Sequence, residues 1–165
     1  MRERGTGSSN KKAVVQLLDR TALKGYVNPA GLGESPMIDV LTPEGEHLAV
    51  EMKSVRTIYF VRELEGVFQL QRKSFLSRPK LDGLWVRVRF ADEDVIEGLI
   101  TNDLIDLLDS GIQLTPPDLH GNTVRLFIPR TAIEEMKVLG VVGIARRSTP
   151  DARAVTGAQT KLFAD

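Results

Sequence analysis

Residues 15–25 read VQLLDRTALKG and residues 88–98 read VRFADEDVIEG, and these two segments decide the fold. In each, apolar and polar residues alternate, a polar turn follows, and a second apolar stretch ends on a glycine, Gly25 or Gly98. Alternation with a period of two is typical of a half-buried β-strand. Each segment is therefore predicted to form a β-hairpin, and the glycine inside its second strand indicates a sharp bend.

The likeness between the two segments continues along the chain. Aligned without a gap, so that Val15 falls on Val88, the first half matches the second at Asp19, Gly25, Leu41-Thr42-Pro43 and His47, which fall on Asp92, Gly98, Leu114-Thr115-Pro116 and His120. A long unit that occurs twice indicates a duplicated small domain, because a solenoid needs three or more short repeats.

Two runs of roughly five short strands predict an all-β protein built from two tandem, small five-stranded antiparallel barrels. The predicted divisions are a disordered tail at residues 1–11, a first barrel at 12–65, a linker at 66–83, a second barrel at 84–142 and a mobile C-terminal tail at 143–165. Units of this size are only marginally stable alone. The two are therefore expected to pack on each other or to form a homo-oligomer.

The two hairpin segments resemble the opening strands of Sm-like barrels, which are SH3-like, although Arg20 and Glu93 stand where a turn glycine is usual. Over residues 13–142 the chain is similar to a bacterial family of tandem small-barrel domains of unknown function, sometimes attached to PilZ domains. Residues 56–66 and 78–90 carry that likeness. The resemblance implies a pair of Sm-like barrels, and it implies no activity.

Composition excludes several classes of protein. The chain has no cysteine, so it forms no disulfide and no thiolate metal site, as is common in a reducing cytoplasm. Its first ten residues lack the apolar stretch of a signal peptide. No apolar run approaches the ~20 residues that span a bilayer. We expect a cytoplasmic protein without a membrane partner.

Catalytic motifs are absent from the sequence. There is neither a Gly-x-Ser-x-Gly elbow nor a phosphate-binding Gly-x-x-x-x-Gly-Lys loop. The two histidines, His47 and His120, each begin a strand beside a turn and have no second ligand at helical or hairpin spacing. We expect a non-enzymatic protein without cofactor or metal, and an enzyme with a site between the repeats is the weaker alternative.

A protein partner is the favoured ligand, which predicts an adaptor or binding module in bacterial regulation or signalling. An acidic loop with adjacent leucines offers one docking site, formed by Asp103, Asp106, Leu107 and Leu108. The C-terminal segment QTKLF resembles the peptide that docks on the bacterial sliding clamp, and the matching residues are Gln159, Leu162 and Phe163. Apolar side chains in a polar tail are typical of a docking peptide.

Single-stranded RNA is the alternative partner. Basic residues accompany aromatic ones in the central segment, and such grooves bind single-stranded nucleic acid. The candidate residues are Arg56, Arg62, Arg72, Lys73, Arg78 and Lys80. The acidic character of residues 91–140 counts against a general polyanion-binding protein, because phosphate affinity comes from lysine and arginine.

Overall fold

The computed structural model describes residues 9–103, 105 and 110–143, and over these residues the protein is all-β. The strands, each antiparallel to its neighbours, are β1 (Lys11–Leu17), β2 (Ala22–Val27), β3 (Met37–Leu41), β4 (His47–Glu51), β5 (Val55–Val61), β6 (Gly83–Phe90), β7 (Val95–Ile100), β8 (Gly111–Leu114), β9 (Thr123–Pro129) and β10 (Ile133–Val142). Three-residue 3₁₀ turns precede β5 and β10. In the described part of the chain, no helix has the length and apolar character to cross a membrane.

The strands form a seven-stranded sheet in the order β4-β3-β2-β1-β5-β9-β8 and a three-stranded sheet in the order β10-β6-β7. An isolated bridge between Leu99 and Thr115 connects β7 to β8. Strands β1–β5 and β6–β10 thus follow the same spatial order, and β5 joins the two repeats by pairing with β9. The predicted all-β class is confirmed. Among the described residues neither repeat closes into a barrel, because β4 does not pair with β5 and β9 does not pair with β10.

Strand registers show that the repeats correspond in detail. Val15 lies opposite Ile58, and the equivalent Val88 lies opposite Met136. Both pairings carry an irregularity at the same place, next to Leu17 in the first repeat and next to Phe90 in the second. A β-bulge bends and twists its strand, so the two repeats are bent at equivalent points.

The gapless alignment was wrong beyond the second strand. A Cβ on Gly25 would touch Val40, whereas a Cβ on Gly98 would overlap the side chain of Leu114. Val40 therefore corresponds to Leu114, which requires one extra residue before β8. Four more extra residues lie in the loop between β8 and β9, since Val40 lies opposite Leu48 and Leu114 lies opposite Leu126.

This shift separates the two histidines that the sequence had placed at matched positions. His47 is the first residue of β4, whereas His120 lies in the loop before β9. The residue that corresponds to His47 is Arg125. Loop insertions preserve the alternation within each strand, so the alternation gave no sign of the shift.

The turns after β1 and β6 have the same backbone, although neither contains glycine. Arg20 has a φ of 74° and Glu93 a φ of 70°, both in the left-handed region that favours glycine. Asp19 Oδ1 accepts a hydrogen bond from Thr21 N at 2.9 Å, and this contact lowers the pKa of Asp19. Both turns thus keep a positive φ at the position where a turn glycine is usual, with arginine or glutamate in its place.

Strand β5 is buried along its whole length because it lies between two hydrophobic cores. Ile58 and Phe60 belong to the core of the first repeat, and Tyr59 and Val61 belong to the core of the second, where they join Leu126. The expectation that two marginal units pack on each other is met by this shared strand. Each face of β5 stabilises a different repeat.

Candidate ligand-binding cleft

The basic residues predicted to bind RNA do not form one surface. Arg56 is buried at 3% exposure between the repeats. Its Nε donates to Asp92 Oδ2 at 2.9 Å, and its Nη2 donates to Asp94 Oδ2 at 3.0 Å. The guanidinium carbon also lies 3.8 Å from the centre of the Phe90 ring. Arg56 joins the repeats through these contacts, and its guanidinium has no room for a phosphate.

The charges around Arg56 stabilise one another. Burial is the largest single effect and opposes the charge on Arg56, but the hydrogen bonds and charges of its partners, with Asp92 foremost, together outweigh burial and raise the pKa of the guanidinium. The same hydrogen bond lowers the pKa of Asp92. Burial also opposes the charge on Asp94, yet contacts with Lys73 and Arg56 lower its pKa. Lys73 Nζ lies 2.7 Å from Asp94 Oδ1, so a second predicted RNA ligand belongs to this cluster.

Two more of the predicted basic residues hold backbone segments. Arg62 donates to the carbonyl oxygens of Leu119 and Gly121, and Arg78 donates to the carbonyl of Val141 at 2.7 Å. The remaining two, Arg72 and Lys80, are exposed. Of the six predicted residues, only the side chains of these two have neither a hydrogen-bond nor an ion-pair partner among the described residues.

The predicted protein-docking residues fall largely outside the described residues. Asp103 is exposed, and its Oδ1 accepts a hydrogen bond from Ile105 N at 2.9 Å. Asp106, Leu107 and Leu108, and Gln159, Leu162 and Phe163 in the tail, lie outside the residues that the structure describes. Over the described ranges there is also no group of three acidic or histidine side chains that could hold a metal ion.

The corrected alignment exposes a chemical difference between the repeats. In the first repeat, His47 Nδ1 lies 2.9 Å from Asp39 Oδ2 across strands β3 and β4. The corresponding residues on β8 and β9 are Gln113 and Arg125. Arg125 is exposed and has no side-chain partner in the described part of the chain. In the second repeat, therefore, an arginine replaces the histidine of the first repeat, and a neutral amide replaces the carboxylate.

Gln113 and Arg125 line a cleft of about 470 Å³ between the repeats, here called the seam cleft. Pro29, Leu32 and Glu34, from the loop between β2 and β3, form its wall on the first repeat. The second repeat contributes residues from β7, β8 and β9 and the residue that follows β7, namely Ile100, Thr101, Gly111, Ile112, Gln113, Arg125 and Phe127. A neighbouring hollow of about 600 Å³ shares four of these residues, so the cleft continues along the surface.

The seam cleft combines apolar residues, among them Pro29 and Leu32, with the polar side chains of Glu34, Gln113 and Arg125, and such a mixture can both hold and orient a ligand. Gln113 Oε1 is buried and accepts no hydrogen bond among the described residues. Buried acceptors without a partner are uncommon, and leaving one unpaired costs about 1–3 kcal/mol. The cleft therefore presents an acceptor beside a cationic donor, with Glu34 as its one carboxylate.

Sequence reasoning missed these residues. Gln113 and Arg125 stood in no motif, and the gapless alignment placed Arg125 opposite a residue outside the Asp39–His47 pair. A correct alignment of the repeats would have found them.

In comparisons with known proteins, the model of a family of unknown function (DUF6982) matches residues 9–140. No curated protein and no solved structure matches the chain.

Proposed function

Because the chain belongs to this family of unknown function, we propose a function from the geometry of the seam cleft: a non-enzymatic module that binds a protein partner. The ligand would be a short peptide segment that carries one carboxylate beside apolar side chains. The observation that supports this is that Arg125 and the buried Gln113 Oε1 line the same cleft, at the positions where the first repeat has the hydrogen-bonded pair His47 and Asp39.

The composition of the cleft favours a peptide carboxylate over a polyanion. A guanidinium binds a carboxylate through two parallel hydrogen bonds, and an N–H of the peptide can satisfy the buried Gln113 Oε1. Glu34 lines the same cleft and repels a second negative charge on the ligand. Pro29, Leu32 and Phe127 supply apolar contacts for neighbouring side chains.

Selection of peptides from a random phage-displayed library tests the proposal. We expect the wild-type chain to enrich sequences with an acidic residue or a free C-terminus beside apolar residues. Arg125→Ala should weaken the selected peptides by about 10- to 100-fold in calorimetry, because hydrogen bonds to charged groups contribute about 1.5–3 kcal/mol. Arg72→Ala is the control, since Arg72 is also exposed and unpaired among the described residues. Equal binding by both variants would refute the assignment of the cleft.

RNA binding remains the second candidate function, and Arg72 and Lys80 are the predicted residues that remain accessible for it. Affinity for single-stranded RNA should fall steeply with salt if phosphates are neutralised. Fluorescence anisotropy at low and physiological salt, with the wild type and the double variant Arg72→Glu/Lys80→Glu, measures this. Because the seam cleft contains neither residue, the peptide and RNA assays report on different surfaces.

We further infer that each repeat is an open relative of the Sm-like small barrels and that the protein works in the bacterial cytoplasm. The shared strand order, the bend glycines Gly25 and Gly98 and the equivalent bulges support the first inference. The absence of cysteine from the sequence supports the second. An experimental structure and localisation of the tagged protein would test the two inferences separately.

A further inference from the structure

Strand β4 is the outer edge of the seven-stranded sheet. In the described part of the chain it pairs only with β3, over the residues His47–Glu51. Its counterpart in the second repeat, β9, pairs with β8 on one side and with β5 on the other. The fold thus covers this strand position in one repeat and leaves it open in the other, and an open edge is a template for another strand.

The hydrogen bonds at the ends of the β3–β4 pair show which backbone groups of β4 face outward. Thr42 N donates to Glu46 O at one end, and Met52 N donates to Pro36 O at the other. Because antiparallel pairs alternate along the ladder, the N–H and C=O groups of Leu48 and Val50 face β3. Those of His47, Ala49 and Glu51 face the open edge.

Strand β10, the counterpart of β5, is a poor partner for this edge. At the junction between the repeats, Tyr59 on β5 and Val14 on β1 contribute apolar side chains to the core of the second repeat. The equivalent positions on β10 and β6 hold Lys137 and Arg87, both exposed. Charged side chains on a strand edge oppose docking, so repetition of the internal junction from chain to chain is disfavoured.

The sequence of β4 is complementary to itself. We propose that β4 pairs antiparallel with β4 of a second copy, around a two-fold axis that passes beside Ala49. His47 then lies opposite Glu51, which brings opposite charges together when the histidine is protonated. Asp39, in contact with His47, and Lys53, in contact with Glu51, belong to the same charged cluster. Leu48, which is 38% exposed, lies opposite Val50 on the core side of the sheet. All outward backbone groups of β4 find partners, and the two seven-stranded sheets become continuous.

This arrangement gives a symmetric dimer, the commonest kind of homo-oligomer. Each partner contributes the same residues, so the contact closes on itself and does not propagate. The inference is independent of the seam cleft, because Gln113 and Arg125 lie on the second repeat and away from this edge. A protein that fails to bind peptides could still dimerise through β4, and the reverse also holds.

Sedimentation equilibrium of the full chain over a range of concentrations tests the proposal. We expect the wild type to reach a dimer and Ala49→Pro to raise the dissociation constant at least tenfold. Proline removes an N–H that faces solvent in the monomer, a position where edge strands tolerate it. Circular dichroism should show that the monomeric variant remains folded.

Charge variants keep the test decisive if Ala49→Pro does not fold. Glu51→Lys should weaken the dimer by roughly two- to tenfold, and His47→Lys should strengthen it by a similar factor, because opposite charges across strands attract. Glu134→Lys, a charge reversal at an exposed position on β10, is the matched control and should leave the dissociation constant of the dimer unchanged. A monomer at every concentration, an oligomer larger than a dimer, a dimer indifferent to Glu51→Lys, or one sensitive to Glu134→Lys would overturn the proposal.

Discussion

The buried ion pairs of Arg56 give the sharpest prediction about stability. Arg56→Met keeps an unbranched apolar chain over the Phe90 ring and removes the charge-assisted hydrogen bonds to Asp92 and Asp94. Those two aspartates belong to the second repeat, whereas Arg56 is on β5 of the first. The substitution therefore removes contacts that join the repeats while leaving the packing volume nearly unchanged.

The size of this loss of stability depends on which other cations still contact the two aspartates. Breaking a fully buried ion pair by removing one partner costs about 3–5 kcal/mol. Here the carboxylates are partly exposed, and each keeps another cation: Arg20 lies 2.6 Å from Asp92, and Lys73 lies 2.7 Å from Asp94. We therefore expect Arg56→Met to lower the free energy of unfolding by about 2–4 kcal/mol and the melting temperature by roughly 5–15 °C.

Urea unfolding of the full chain, with a calorimetric melt beside it, measures this loss. Arg72→Met is the control, because Arg72 is exposed and has no side-chain partner among the described residues, and it should change stability by no more than about 0.5 kcal/mol. If Arg56→Met costs less than about 1 kcal/mol, the ion pairs merely offset their own desolvation, and the idea that they hold the repeats together is refuted.

Three further predictions concern the same repeats. Because the hydrogen bond from Arg56 lowers the pKa of Asp92, the stability it contributes is complete above the unfolded pKa of about 3.9 and is lost as the pH falls through the lower folded pKa. Acid titration of the urea midpoint should show this loss, and Arg56→Met should flatten it. Gly98→Ala should destabilise by about 1–3 kcal/mol in urea unfolding, since its Cβ would overlap Leu114, whereas Gly31→Ala, which meets nothing, should stay within about 0.5 kcal/mol. Glu93→Gly should raise the melting temperature by a few degrees, because glycine adopts the left-handed backbone without strain, a gain of about 1 kcal/mol. The ion pair that the substitution removes, with Arg89, is exposed and contributes little. An unchanged or lower melting temperature would show that Glu93 is not strained.

The strands could be predicted from sequence because their signals are local. Alternation of apolar residues located β1 and β6, and the glycines at Gly25 and Gly98 located the bends. The positions of Arg20 and Glu93, noted as departures from a turn glycine, proved to be the residues with positive φ. A turn of fixed length between two paired strands demands that backbone whatever the side chain.

The pairing between repeats could not be predicted from the same signals. Nothing in the sequence of β5 shows that β9 pairs with it, since the two strands are about 65 residues apart and loop length hardly constrains such contacts. For the same reason Arg56 was placed among surface cations, because its partners Asp92 and Asp94 lie in a turn of the other repeat. A buried arginine is recognisable only after its carboxylates are found.

The two repeats differ most where they meet their neighbours, and that difference explains why the candidate sites lie where they do. In two similar repeats, only one copy of each equivalent surface is buried at the junction between them. The copies left outside differ from the buried ones in different ways: β10 carries Lys137 where β5 has the core residue Tyr59, while β4 has the apolar Leu48 where β9 has the core residue Leu126. One exposed edge is thus charged, which opposes docking. The other, β4, has a self-complementary sequence, as an edge that binds a second copy would.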